Sequence, residues 1–132
     1  MIKKIDHVGI VVKNIDEALK IFSNIFGFRV VESVTEPHQE FRAVLIFAGD
    51  AALELIEPIS AKGSIAKFLE QRGEGIHHLS LGVDNIEQEL KSLQANGIRL
   101  VNKEAEFLPS AQVAFVHPNS TEGVLIELIQ RA

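Results

Sequence analysis

The sequence predicts an α+β fold made of two tandem βαβββ modules, and three observations predict it. The first is an internal repeat. Laying Asp6–Phe22 over His77–Leu93, an offset of 71, gives six identical pairs in seventeen: His7/His78, Val12/Val83, Asn14/Asn85, Ile15/Ile86, Leu19/Leu90 and Lys20/Lys91. The match resumes at Phe28–Val31 over Ile98–Val101 and at Leu53–Ile56 over Ile126–Ile129. Only two copies fit, so the period marks duplication of a supersecondary unit, since a solenoid needs at least about three. The second observation is that both copies switch between period-2 and helical spacing in the same order. The third is size. At 132 residues, 46% of them hydrophobic, the chain can bury roughly two-thirds of its unfolded surface in one core, without help from a disulfide or structural metal.

The elements follow from the residues in order. His7–Val12 alternates as a strand. Asn14 is an N-cap for a helix carrying Ile15, Ala18, Leu19, Phe22 and Ile25–Phe26, stopped at Gly27. Phe28–Val34, Phe41–Phe47 and Ala51–Ile56 read as strands, with Gly49-Asp50 turning the chain before the last. Pro58–Gly75 joins the halves and contains a helix at Ile65–Gln71. In the second copy a strand through His78 leads to Asn85, which caps a helix of Ile86, Leu90 and Leu93 ending at Gly97. Strands follow near Ile98–Asn102, Gln112–His117 and Val124–Gln130, with Pro118-Asn119 as a turn. The organisation expected is one domain over 1–132: module 1 at about 1–57, a linker at about 58–74 and module 2 at about 75–132, with helices on one face of largely antiparallel sheets.

Composition excludes several classes. With no cysteine there is no disulfide scaffold, thiolate zinc site or cysteine nucleophile. Thirteen Lys+Arg against eighteen Asp+Glu give a net charge of −5, and no basic footprint for nucleic acid is visible. Apolar runs such as Ala43–Ala48 fall far short of the roughly 20 residues of a membrane span. The opening MIKKIDHVGIVV alternates like a strand and lacks a small-residue cleavage site. The expectation is a soluble, cytoplasmic domain that binds neither nucleic acid nor membrane.

The repeat pairs two chemically conspicuous sets, His7 with His78 and Glu54 with Glu127. The histidines begin the first strand of each module. The glutamates sit in the last strand between apolar neighbours, so alternation turns each away from those neighbours. Taken singly they read as strand-end and polar-face residues. Recurring in register in both copies, they are what a pseudo-symmetric metal site needs, one nitrogen and one carboxylate from each module.

The segments IDHVGIVV, GEGIHHLSLGVDNIE and FVHPNSTEGVLIEL resemble the vicinal oxygen chelate superfamily, which includes glyoxalase I, extradiol dioxygenases and fosfomycin-resistance proteins, and most resemble its methylmalonyl-CoA epimerases. The resemblance covers nearly the whole chain. It implies a curved, antiparallel-rich eight-stranded sheet around a metal site, with His7, Glu54, His78 and Glu127 as ligands of a divalent Co, Ni, Zn or Mn ion. His77 then points to the opposite face, as a core or supporting residue. Four protein ligands leave two positions open on an octahedral ion, whereas the oxygenase triad leaves three, so oxygenase chemistry is disfavoured.

The function implied is a metal-dependent epimerase of methylmalonyl-CoA or a related acyl thioester, removing the α-proton through a metal-stabilised enolate. One oxyanion-hole donor contributes about 3–4 kcal/mol, whereas zinc lowers the pKa of bound water by roughly 9 units, about 12 kcal/mol. Lewis acidity therefore outweighs hydrogen bonding alone. Epimerisation also needs a base on each face of the enolate. Glu127 and Glu54 are the catalytic candidates, with Glu40 behind Glu54, because the third-strand glutamate of some epimerases aligns with Ala43.

His117 and Arg42 are candidate substrate contacts, and Lys103 a further anion partner. The segment EAEFLPSAQVAFVHP has no glycine between Gly97 and Gly123, where epimerases carry a Gly-rich stretch; this implies a reshaped loop at Glu106–Gln112 or a different acyl group. Two alternatives remain: a lactoylglutathione lyase of glyoxalase I type, disfavoured by HPNSTEGVLIEL, and a non-catalytic small-molecule binding or resistance protein. The superfamily also implies a homodimer.

Overall fold

Each half of the chain opens with a strand that ends at an asparagine, and the asparagine starts a helix. In the computed structural model, which describes residues 1–36 and 40–132, the strands are β1 (Ile2–Val11), β2 (Arg29–Glu36), β3 (Phe41–Ala48), β4 (Ala51–Pro58), β5 (Gly75–Val83), β6 (Glu106–Leu108), β7 (Ala111–Val116) and β8 (Ile126–Arg131). The helices are α1 (Ile15–Leu19), α2 (Ser64–Arg72) and α3 (Ile86–Ala95). Eight strands form a mixed sheet in the order β2-β3-β4-β1-β5-β8-β7-β6, as the α+β reading requires. The chain folds as two compact units, His7–His77 and Met1–Asp6 with His78–Ala132. Among the described residues no helix is long and apolar enough to cross a membrane.

In the unit His7–His77, Asn14 accepts the Glu17 backbone N–H at 2.9 Å and so caps α1. Glu57, three residues beyond Glu54 on β4, accepts the Ile15 N–H at 2.7 Å. Two orphan donors at the helix start are thereby satisfied. Strands β1 and β4 run parallel, with Val8 opposite Leu53 and Gly9 opposite Glu54, while β2/β3 and β3/β4 are antiparallel. One sheet face buries Val12, Ile15, Val44, Ile46 and Leu55 beneath α1. The other gathers Val11, Ala43 and Ile56 with Ile65 of α2.

The second unit repeats these devices. Asn85 accepts the Gln88 N–H at 3.1 Å, and Gln130, three residues beyond Glu127, accepts the Ile86 N–H at 2.8 Å. Strand β5 runs parallel to β8, with Leu79 opposite Ile126 and Ser80 opposite Glu127. Val83, Ile86, Leu90, Ala114, Val116 and Leu128 form the core under α3. Asp6 and Arg131 tie β1 to the end of β8, with Nη2 2.7 Å from Oδ2 and Nε 3.0 Å from Oδ1.

Three local expectations are corrected. The helix expected as far as Gly27 is α-helical only to Leu19 and continues over Lys20–Ile25 as a π-helix; Phe26 N–H reaches back five residues to Ile21 O. The apolar spacing is similar in both windings, so periodicity does not separate them. The strand expected near Ile98–Asn102 contributes one bridge, Leu100 with Val116. That bridge is the bond pair Val101 N–H to Phe115 O and His117 N–H to Arg99 O, and beyond it Phe115 N–H goes to the Asn102 side chain at 2.6 Å. The Asn102 amide oxygen takes the place of a backbone carbonyl and ends the ladder there. Instead, Glu106–Leu108 pairs with Ala111–Gln112–Val113 as a hairpin, so the glycine-free segment is a short strand and turn.

The capping bonds give a stability test. Because Gln130 does at α3 what Glu57 does at α1, Glu57→Gln will unfold in urea within about 0.5 kcal/mol of wild type, as a replacement that keeps the accepting oxygen should. Glu57→Ala and Gln130→Ala will each lose about 1 kcal/mol, the usual cost of removing a cap.

Candidate metal centre

In the unit His7–His77 the site residues come from the sheet face opposite α1, the face on which Ile65 of α2 also packs. Alternation along β1 places His7 with Gly9 and Val11, and along β4 it places Glu54 with Ala52 and Ile56. The parallel register sets Gly9 directly opposite Glu54. The result is His7 Nε2 3.6 Å from Glu54 Oε1, with the imidazole side chain 3% exposed. In the other unit the same register sets His78 Nε2 3.9 Å from Glu127 Oε1, with His78 4% exposed. Phe115 on β7 meets the His78 ring edge to face at 6.0 Å. Ser80 on β5 donates its hydroxyl to Glu127 Oε1 at 2.7 Å.

Both nitrogen–oxygen separations exceed a normal hydrogen bond. They approach the roughly 3.0–3.4 Å that separates neighbouring ligand atoms when each lies about 2.0–2.2 Å from one ion. Buried imidazole nitrogen beside carboxylate oxygen is also the donor chemistry a divalent first-row metal takes. Each unit thus offers one such pair, His7 with Glu54 and His78 with Glu127. By geometry and donor type the residues fit such an ion.

The other expected residues divide. His117 follows β7, two residues after Phe115. Its Nδ1 accepts the Asn119 N–H at 3.1 Å, so in the neutral ring the proton is on Nε2, as an outward donor. Arg42 stands opposite Glu57 on β3 and reaches Asp16 of α1 at 3.5 Å. It therefore lies on the α1 face of the sheet, opposite to His7 and Glu54. Ala43 is buried with Val11, Ile56 and Ile65, so no carboxylate stands there. Glu40, at the entry to β3, accepts the Ser60 hydroxyl at 2.5 Å and holds a positive φ of 58°. Lys103 is exposed.

Nothing in the spacing of histidines and acids points to Ser80. Its only sequence signal is the repeat, which sets it over Gly9.

His77 packs its ring edge to face against Phe68 of α2 at 5.0 Å, while Arg72 sits over the same phenyl ring at 5.6 Å. Burial holds the His77 pKa below the ordinary histidine value; the Glu54 carboxylate opposes this and the Arg72 charge adds to it.

Residues 6–115 match the Glyoxalase/Bleomycin resistance protein/Dioxygenase superfamily. The chain belongs to that superfamily. Within it, the chain is 33% identical over 132 residues to the mitochondrial methylmalonyl-CoA epimerase of Dictyostelium discoideum, covering 98% of this chain and 80% of that one. A hypothetical protein of Bacillus halodurans superposes with a TM-score of 0.94 at 36% identity, covering 98% of this chain and 94% of the other. A variant of the Streptomyces coelicolor methylmalonyl-CoA epimerase in complex with 2-nitronate-propionyl-CoA superposes with a TM-score of 0.92 at 26% identity, covering 100% and 96%.

The lowered His77 pKa has a sign that can be checked. Between the folded and unfolded pKa values the unfolded chain binds the extra proton, so stability rises with pH there. In EDTA-treated protein, stability will fall as pH drops below about 6.5, the free histidine value, and level off below the folded pKa. Urea unfolding at several pH values will show a smaller drop for His77→Phe than for wild type.

Proposed function

We propose that this protein is a metal-dependent epimerase of methylmalonyl-CoA or a closely related acyl thioester. The observation that carries the reading is the pair of His/Glu sets, His7 with Glu54 and His78 with Glu127, each held by the same parallel register in a chain whose relatives include methylmalonyl-CoA epimerases. In this reading all four residues hold one divalent ion, of which Co, Ni, Zn and Mn all suit the donor set. When bound, the ion supplies Lewis acidity to the carbonyl oxygen next to the acidic carbon.

The protein's own residues do the rest. Glu54 and Glu127 are the carboxylates that take the α-proton and return one to the other side; the C–H electron pair passes to the carbonyl as the enolate forms and back when the proton is replaced. Val11, Ala43 and Ile56, buried with Ile65 of α2 on the face that carries Glu54, exclude water from that side of the base. His117, with its proton on Nε2, donates to a substrate oxygen. Arg42, turned to α1 and Asp16, has no part in this reading. The lyase alternative gains no support from the relatives described above.

Proton NMR of methylmalonyl-CoA in deuterium oxide tests the proposal. EDTA-stripped protein will leave the α-proton signal intact, and added cobalt will make it disappear. Glu54→Gln and Glu127→Gln will each slow that loss by at least about 100-fold, the lower range for a positioned acid–base group. A protein that holds cobalt and exchanges nothing would reject the substrate. A protein that holds no cobalt would reject the centre.

A further inference from the structure

The two halves of the centre are built alike but are not chemically alike. The cross-strand position opposite Glu54 is Gly9; opposite Glu127 it is Ser80. These are the same position of the repeat, 71 residues apart. The antiparallel neighbours differ too, Leu45 beside Glu54 and Phe115 beside Glu127. Glycine offers no side-chain donor, whereas the Ser80 hydroxyl, 0% exposed, donates to Glu127 Oε1 at 2.7 Å. That distance is in the range of hydroxyl bonds to carboxylates, the stronger class of hydrogen bond. Turning the Glu127 carboxylate would break this bond where water cannot replace the lost donor. The Phe115 ring, packed on the His78 imidazole, restrains the second ligand of the same half.

We infer that Ser80 is a positioning residue: its hydroxyl orients the Glu127 carboxylate for metal coordination. The inference rests on the metal centre proposed above and concerns ligand orientation, not the identity of the substrate. Partners that orient metal ligands typically contribute about 10–100-fold to affinity, and only Glu127 has a hydroxyl at this register position.

The test is cobalt(II) titration of EDTA-stripped full-length protein, followed by calorimetry and by the visible absorption of the bound ion. Ser80→Ala will bind cobalt about 10–100-fold more weakly, and Ser80→Thr, which keeps the hydroxyl, will bind more tightly than Ser80→Ala. Thermal unfolding of the metal-free variants identifies any that fail to fold, and the Ser80→Thr comparison then decides.

A double-mutant cycle separates action through Glu127 from general loosening. Ser80→Ala will keep its full effect in a Glu54→Ala background and have little effect in a Glu127→Ala background, where no side-chain oxygen is left to accept the hydroxyl. Equal losses in both backgrounds, or wild-type affinity for Ser80→Ala, would overturn the inference while leaving the metal centre standing. Wild-type protein that takes up no cobalt would overturn both.

Discussion

The constraint on which the rest depends is the parallel register between the first and last strands of each repeat. It sets Gly9 against Glu54 and Ser80 against Glu127. From that register the side chains divide cleanly. Leu53, Leu55 and Glu57 face α1, with the apolar pair packing and Glu57 capping. Ala52, Glu54 and Ile56 face the other way. A slip of one residue would exchange the faces and turn Glu54 and Glu127 toward α1 and α3. The buried aliphatics oppose such a slip, since each contributes about 1.5–3 kcal/mol by leaving water, and no polar pair here approaches their combined effect. Thus the apolar face sets the register and the polar face inherits it.

This explains why two buried imidazoles are tolerated beside carboxylates. Nothing about packing requires polar side chains at His7, His78, Ser80 or Glu127, all of which are buried. Burying them costs free energy unless each is engaged. Places where a sequence breaks its own apolar pattern are where function is expected to outweigh stability. The helix caps follow the opposite logic. Glu57 and Gln130 differ in charge, yet each contributes only a carbonyl-type oxygen to a helix-start N–H, so selection for the cap leaves the charge unconstrained.

Much of this was legible in the residues because the duplication preserved what the register needs. The identities at His7/His78, Asn14/Asn85 and Ile15/Ile86 mark a strand, a cap and a buried helix start, and all three are structural facts of both units. The parallel direction of β1 with β4 was not legible, because alternation is the same in either direction. Nor was the π-helix at Lys20–Ile25, whose apolar spacing passes for α. Asn102 has the spacing of a strand residue, and nothing in that spacing shows that its side-chain oxygen accepts the Phe115 N–H. The face occupied by Arg42 was not legible either: Phe41, Ala43, Leu45 and Phe47 on one side of β3 are as apolar as Val44 and Ile46 on the other, so alternation leaves open which side meets α1.

Duplication gives two equal half-sites, and an acyl thioester has no two-fold symmetry with which to meet them. On the reading proposed here, the residues bound to be alike are those that hold the ion, and they are alike: a histidine and a glutamate in each half. The residues beside them are where the halves diverge. Gly9 and Leu45 flank Glu54, whereas Ser80 and Phe115 flank Glu127. A hydroxyl bonds the carboxylate and an aromatic ring packs on the imidazole in one half, while a glycine and an aliphatic chain stand at the matching positions of the other. Divergence of this kind costs the fold little, because all four positions lie on the face that does not set the register. It also sets the two carboxylates in chemically different surroundings.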